Sequence, residues 1–402
     1  MIAFLFPGQG SQTRGMGEPW VDTWPELFDL ASDAADKDVR RLVCSADEDE
    51  LRQTDNAQLA TAVCSLAAWK ALTEAGLAPA AVAGHSLGEY PALVAAGSIS
   101  PSDCVRLVAA RGAGMAEAAD RHPGTMLALL GADAQLADEA CRKAGGTVVV
   151  ANINAADQVV ISGTPGAVGR AGEAAKRLGA KRVMGLNVGG AFHSPLMAPA
   201  LPPLAAALAR TDFADPQVPV VCNVDARPHR SASGLVPALL AQLASPVLWE
   251  DSSATLAACG VRGWVEVGSG NKLAKLAKRS QRGSIVTSVA EPADAEQAAA
   301  ALAGITAPSP SPLTTEDDFG EVVDMYDRLV IAPVKGRYNP APARAYTSVG
   351  EYVSEGQFIG EVLTADGSVP VHSSFNGWIM NEVADKDDRV EAGQPLISVR
   401  PF

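Results

Sequence analysis

The 402 residues carry 46 acidic against 32 basic side chains, a net charge of -14, with 48% hydrophobic and 19% charged residues. Such a chain is long enough for two or three domains, too apolar to be disordered, and too acidic to neutralise a phosphate backbone, which excludes a general nucleic-acid binder. No run of about 18 apolar residues suggests a membrane span and no basic region precedes the short apolar start, so a cytoplasmic protein without membrane contact is expected. The six cysteines, Cys44, Cys64, Cys104, Cys141, Cys222 and Cys259, form no C-x-x-C pair, and the five histidines form no H-E-x-x-H spacing. Reduced thiols and no protein-bound metal are the expectation.

Residues 2–6 read as a short buried strand, ended by the glycine-rich Pro7-Gly8-Gln9-Gly10-Ser11-Gln12. That loop lacks the lysine of a P-loop and the third glycine of a dinucleotide fingerprint, so what it presents is Gln9 on a turn. From about residue 57 to 76, Leu59, Ala60, Val63, Leu66, Ala67 and Leu72 recur at helical spacing, and residues 80–83 then form a strand. Next comes Gly84-His85-Ser86-Leu87-Gly88-Glu89-Tyr90, a G-x-S-x-G stretch between an apolar run and an alanine-rich one. At a strand-turn-helix corner, small flanking residues let the two elements approach closely and leave the serine hydroxyl exposed. Ser86 is therefore a candidate nucleophile, and the backbone N–H of Leu87, at the start of the next helix, is placed to stabilise an oxyanion. A turn that merely contains a serine is the plain alternative.

Residues 104–118 read as another helix, in which Arg106 and Arg111 cap a core or snorkel to solvent. The pattern changes over residues 125–190, where β-rich runs at 125–130, 148–151 and 158–162 alternate with two alanine-rich helical stretches. This predicts a small α+β insertion. The main domain resumes near His193, with a strand at 218–222 and another at 263–267 leading into Gly268-Ser269-Gly270. Helix, strand, nucleophile and helix in that order make the chain α/β.

Ser86 needs a base. His85 adjoins it and should point elsewhere, His372 lies far downstream, and His122 and His229, each beside a proline and charged neighbours, read as surface residues. His193 stands in Gly190-Ala191-Phe192-His193-Ser194-Pro195-Leu196-Met197, a turn punctuated by glycine and proline that can present a side chain at a cleft.

Residues 306–312, Thr-Ala-Pro-Ser-Pro-Ser-Pro, form a stiff polar linker. Beyond it, residues 313–402 hold 15 acids against 7 bases. Within them Val353-Ser354-Glu355-Gly356-Gln357 returns as Val390-Glu391-Ala392-Gly393-Gln394, and Pro333-Val334-Lys335-Gly336 is echoed by Ser374-Phe375-Asn376-Gly377. Two related half-motifs of this size predict a small β-sandwich with pseudo-twofold symmetry.

PGQGSQ at 7–12, GHSLGEY at 84–90, RG-x-x-M at Arg111 to Met115, GAFHSPLM at 190–197 and VEVGSGNKL at 265–273 stand in one order. Over residues 1 to about 302 this resembles the malonyl-CoA:acyl carrier protein transacylases, a family of acyltransferases. The resemblance implies an α/β-hydrolase-like large subdomain with an inserted ferredoxin-like subdomain at 125–190. It implies Ser86 as nucleophile, His193 as base, and the backbones of Gln9 and Leu87 as oxyanion hole. Arg111 takes the malonyl carboxylate, and Met115 and Phe192 resemble the malonyl-selective pocket. The histidine of this family is oriented by a backbone carbonyl near the motif that here reads Pro246-Val247-Leu248-Trp249. Malonyl-CoA is the implied substrate, the phosphopantetheine thiol of an acyl carrier protein the acceptor, and no covalently bound cofactor is needed. The setting is fatty-acid or polyketide synthesis, in which such an enzyme can act in trans. Ser269 stands where the family commonly has proline.

An arginine pairs bidentately with a carboxylate whose desolvation would otherwise be costly, which fits a selector of dicarboxylic acyl groups. After the Gly268-Ser269-Gly270 loop come Lys272, Lys275, Lys278, Arg279 and Arg282, with Lys275, Lys278 and Arg279 on one helical face. Such a face is either simply solvated or steers an acidic carrier protein. The open alternative for the chemistry is an acyl-thioester hydrolase, since the same pair of residues releases an acyl group to water where water is admitted. An idle scaffold would be expected to lack Ser86, His193 or Gln9, and none is missing.

The C-terminal part resembles the biotinyl/lipoyl carrier fold in Ala332 to Gly336, in VGEYVSEGQ, SSFNG and VEAGQPL. The position of the modified lysine there falls on Asp366, so neither biotin nor lipoate is expected. A docking module for a synthase component, or a structural relic, remains. The organisation read from the sequence is a transferase domain at 1–302, a linker at 303–318 and an all-β domain at 319–402.

Overall fold

The computed structural model describes residues 1–305, 328–340 and 352–401, apart from 354–355, 366, 374–376, 383, 385 and 393. The chain divides into two compact units, Met1–Glu316 and Asp317–Phe402. The linker expected at 303–318 lies, from Thr306 onward, outside the described residues.

In the first unit the strands β1 (Ile2–Phe6), β2 (Ala81–Gly84), β7 (Val220–Val221), β8 (Pro228–His229), β10 (Gly263–Val267) and β11 (Ile285–Val289) form a six-stranded sheet ordered β11-β10-β1-β2-β7-β8. All neighbours are parallel except the β7–β8 hairpin. Strands buried on both faces need continuous apolar runs, which β1 and β2 supply; β10 is interrupted only by the buried Glu266. The helix Thr54–Glu74 is buried on nearly every side, with 16 of its 21 residues inside, so its apolar pattern runs round the whole cylinder.

The expected insertion is a β-α-β-β-α-β unit: β3 (Thr125–Leu130), helix Ala134–Ala144, β4 (Val148–Ala155), β5 (Gln158–Gly163), helix Pro165–Leu178 and β6 (Arg182–Gly185). Its sheet runs β6-β3-β5-β4 and then gains β9 (Val247–Leu248), parallel to β4, from the larger part of the chain. That fifth strand is two residues long and carries no periodicity to read in sequence. The core of the insertion is alanine-rich, with Leu129, Val159, Ile161 and Val168 packed among Ala137, Ala140, Ala171 and Ala175.

Other boundaries differ modestly from expectation. The helix read at 104–118 spans Pro101–Arg121, started by Ser100, whose hydroxyl accepts from the Asp103 N–H, and by Pro101 at the first turn. The strand read at 218–222 pairs only at Val220–Val221, because the hairpin to β8 begins at once. The edge strand β11 was not expected from the sequence, since Gly283 and Ser284 precede a run of only five residues.

The second unit contains β12 (Arg328–Ile331), β13 (Gly336–Pro340), β14 (Tyr352–Val353), β15 (Phe358–Thr364), β16 (Gly367–His372), β17 (Gly377–Glu382), β18 (Arg389–Val390) and β19 (Pro395–Pro401). They form two four-stranded sheets, β12-β19-β17-β14 and β16-β15-β13-β18. Matching β12, β13, β14 and β15 to β16, β17, β18 and β19 converts the order of one sheet into that of the other. The repeated motif at 353 and 390 sits in the equivalent strands β14 and β18. Tyr338, Val353, Ile359, Val362, Ile379, Val390 and Leu396 fill the core between the sheets. Thr364 pairs with Gly367 where β15 turns into β16, and Asp366 itself lies outside the described residues.

Candidate active site

The loops after β1, β2, β7 and β10 all leave the C-terminal ends of parallel strands, where open α/β sheets gather their ligands. Ser86 follows β2 after the single residue His85, on the short turn Ser86–Gly88 that runs into the helix Glu89–Ala95. Both glycines of the corner are sterically required. A Cβ on Gly84 would come within 1.9 Å of the Gly88 carbonyl carbon, and one on Gly88 within 2.0 Å of the Phe6 carbonyl oxygen. Ser86 takes φ 53°, and His193 takes φ 55°. Left-handed backbone at a non-glycine residue costs about 1–3 kcal/mol and persists only where surrounding contacts hold it.

For Ser86 those contacts come largely from Asn223, just after β7. Its Oδ1 accepts from the Ser86 N–H at 2.6 Å and its Nδ2 donates to the Gly84 carbonyl at 2.6 Å. Ser86 Oγ lies 2.7 Å from His193 Nε2. His193 Nδ1 faces two carbonyls, Gln242 O at 2.9 Å and Ser245 O at 3.1 Å. Carbonyls only accept, so the proton resides on Nδ1 and the Nε2 lone pair faces Ser86. Burial, reinforced by the Arg111 charge, lowers the imidazole to about 3, which keeps it neutral and receptive to a proton.

Arg111 is fully buried at 1% exposure, which corrects the snorkelling alternative. Its Nη2 donates to Ser86 Oγ at 2.9 Å and to Gln242 Oε1 at 3.0 Å, and its Nη1 donates to Gln58 Oε1 at 2.7 Å. The Tyr90 ring lies 5.7 Å from the guanidinium carbon. Met115, one turn further along the same helix, carries the sulfur to which Gln58 Nε2 donates at 3.3 Å.

Gln9, Ser86, Arg111, Met115, Phe192 and His193 all line one cleft of about 740 Å³. Its far wall comes from the smaller sheet, through Met126, Ala128, Asn152 and Val160. Leu87 is the exception: its side chain is buried at 1%, so only its main chain is available for chemistry. His85 turns away from Ser86, as expected, to Asn154 Oδ1 at 2.8 Å. His122 is exposed, as expected, but His229 is not a surface residue. It is half-buried against Asp225, with Nε2 2.8 Å from Oδ2, because the β7–β8 hairpin folds the two together.

At the mouth of the cleft runs the helix Lys272–Ser280, whose Lys272, Lys275, Lys278 and Arg279 line it. Glu266, buried in β10, caps this helix by accepting from the Ala274 N–H at 2.8 Å. Lys272 Nζ donates to the Gly10 carbonyl, tying the helix to the Gln9 loop. Arg279 pairs with Asp157 in the β4–β5 turn at 2.6 Å.

Four buried polar groups around the site were given no role by the sequence reading: Gln58, Glu89, Asn223 and Gln242. Each is fully or almost fully buried. The available signal was a polar side chain within an apolar helical run, as in Ala57-Gln58-Leu59 and Leu240-Ala241-Gln242-Leu243. Burial pushes the Glu89 carboxyl up to about 8, against two N–H donors, Asn223 N and Gln242 Nε2, that favour its ionised form.

An α/β protein with a serine on such a corner, a neutral histidine behind it and a buried guanidinium beside it is built for acyl chemistry through a serine ester. The chain belongs to the acyl transferase domain family, whose model matches residues 3–305. It is 42% identical over 303 residues to the malonyl CoA-acyl carrier protein transacylase of Bacillus subtilis (strain 168), covering 74% of this chain and 96% of that relative. The transacylase of the same name from Escherichia coli (strain K12) is 43% identical over 284 residues, 69% of this chain and 92% of the relative. Among solved structures, the malonyl CoA-acyl carrier protein transacylase of Coxiella burnetii aligns with a TM-score of 0.72 at 37% identity, covering 75% of this chain and 97% of that one. A malonyl-transacylase in complex with a type II polyketide synthase acyl-carrier protein aligns at 0.70 and 40% identity, covering 74% and 98%.

Proposed function

We propose that the chain transfers a malonyl group from malonyl-CoA, through an ester on Ser86, to the phosphopantetheine thiol of an acyl carrier protein in fatty-acid or polyketide synthesis. Arg111 carries this reading: a buried guanidinium 2.9 Å from Ser86 Oγ is a counter-charge for an acyl group that ends in a carboxylate. In the first half-reaction Ser86 Oγ attacks the thioester carbonyl while its proton passes to His193 Nε2. The tetrahedral oxyanion is held by the main-chain N–H groups of Gln9 and Leu87. The C–S bond breaks, and the departing CoA sulfur takes the proton from His193. In the second half the carrier thiol gives its proton to His193, attacks the ester carbonyl, and Ser86 leaves with that proton restored. Met115 and Phe192 shape the acyl pocket, and Lys275, Lys278 and Arg279 at the cleft mouth face the acidic carrier protein. The hydrolase alternative is not favoured, since the relatives carry the transacylase name.

The β-α-β-β-α-β order and the strand order β6-β3-β5-β4 support a ferredoxin-like subdomain at 125–190 within a transferase domain at 1–302. The paired sheets of the second unit support a biotinyl/lipoyl-like domain at 319–402. Its two lysines, Lys335 between β12 and β13 and Lys386 between β17 and β18, lie away from the β15–β16 turn. The module is therefore read as a docking domain for a synthase component, free of biotin and lipoate.

The test is intact-mass analysis after brief exposure to a panel of acyl-CoAs. A malonyl increment mapping to Ser86, absent from Ser86→Ala, is expected. The same increment at the wild-type rate in Ser86→Ala would remove the serine from the mechanism.

A further inference from the structure

Glu89 has no direct part in the acyl-transfer steps, yet it is 1% exposed beside the nucleophile. Acidic side chains are seldom kept at such depth unless every oxygen is engaged. Glu89 Oε1 accepts from the main-chain N–H of Asn223, and Oε2 accepts from Gln242 Nε2 at 2.5 Å. The buried Gln242 amide is used at both ends: Nε2 also donates to the Ser86 carbonyl at 2.9 Å, and Oε1 accepts from Arg111 Nη2 at 3.0 Å.

An amide has one donor end and one acceptor end, and the opposite rotation would set its NH₂ against the guanidinium N–H. Two acceptors, Glu89 Oε2 and the Ser86 carbonyl, face one end of Gln242, which forces its oxygen toward Arg111. The remaining side-chain partners of Arg111 are neutral, Gln58 and Ser86. Its direct hydrogen bonds among the described residues therefore include no carboxylate, and the Glu89 carboxyl reaches it only through the Gln242 amide. We propose that Glu89 is a positioning residue for acyl selection, holding the Gln242 amide in the one orientation that aims Arg111 at the free carboxylate of a dicarboxylic acyl group. The inference rests on the acyl-transfer reading of this site.

Glu89→Gln offers one acceptor oxygen where two N–H donors need one each. The experiment measures kcat/KM for acylation of Ser86 by malonyl-CoA and by acetyl-CoA in the wild type, Glu89→Gln, Arg111→Ala and the double variant. Glu89→Gln should lower malonyl use about tenfold and acetyl use less than about twofold, and its malonyl effect should vanish once Arg111 is alanine. Equal losses on both acyl groups, no loss, or a malonyl loss that persists undiminished in the Arg111→Ala background would each overturn the proposal. Should Glu89→Gln fail to fold, Gln242→Met, which cuts the relay and leaves Glu89 in place, must show the malonyl-specific loss, and an unselective loss overturns the proposal equally. Failure of the wild type to acquire any malonyl group on Ser86 would instead remove the acyl-transfer reading itself.

Discussion

At the scale of single residues, the proposed chemistry rests on two buried groups: the Arg111 guanidinium beside Ser86 and a His193 imidazole that burial holds neutral. Truncating Arg111 to alanine removes a charge-assisted pairing that exists only for acyl groups bearing a carboxylate. Malonyl-CoA kcat/KM should fall about 10- to 100-fold relative to acetyl-CoA, and an equal loss on both would mark Arg111 as structural. For His193 the folded-state value of about 3 lies below the ordinary 6.5. Between those values the unfolded chain binds a proton that the folded one refuses, so stability falls as pH drops through this window. From pH 7 to 5 the loss amounts to about 2 kcal/mol. Urea melts of the wild type and His193→Gln should therefore converge in the variant's favour over that interval. Parallel pH dependences would contradict the neutral, buried imidazole.

At the scale of elements, the corner after β2 is a matter of backbone approach. With 1.9 Å and 2.0 Å to backbone atoms, a Cβ at Gly84 or Gly88 can be relieved only by separating strand from helix. Gly88→Ala should cost at least about 2–3 kcal/mol in denaturant melts and most of the acylation activity. A variant with wild-type stability would show that the corner yields more easily than this packing implies. The helix Lys272–Ser280 carries the other prediction of this scale. Arg279 is already engaged by Asp157, so the charges to reverse are Lys275 and Lys278. Lys275→Glu with Lys278→Glu should raise KM for an acidic carrier protein by a few fold to about tenfold and leave acylation by malonyl-CoA unchanged. Unaltered transfer across a range of salt would reduce this face to a solvated one.

At the scale of the whole molecule, the two units have separate cores, and every residue proposed for acyl transfer belongs to the first. Deleting residues 313–402 should therefore leave acylation of Ser86 intact while lowering transfer to the cognate synthase component. Full retention of that transfer would leave the second unit without a docking role. Protein made in a host competent for biotinylation and lipoylation should show neither increment on the second unit by intact mass.

How much could be read without coordinates differs along the chain for physical reasons. The G-x-S-x-G corner, the Gln9 loop, the His193 turn and the pseudo-symmetric repeat are local: glycine, proline and spacing dictate backbone shape within a few residues, so Ser86 and His193 could be placed on turns and the repeat at 353 and 390 seen as two related halves, whereas Arg111 was singled out by the family resemblance. The sequence by itself also determined the α/β class, through continuous apolar strands beside helical periodicity. Only the tertiary structure decided which groups far apart along the chain meet. It brought Gln58 to Arg111 and Asn223 and Gln242 to Ser86, and recruited Val247–Leu248 as a fifth strand of the small sheet. A polar residue in an apolar run signals burial but not its partner, because a buried polar side chain is satisfied by whichever partner the fold delivers, and the backbone pattern around it is that of an ordinary helix or turn.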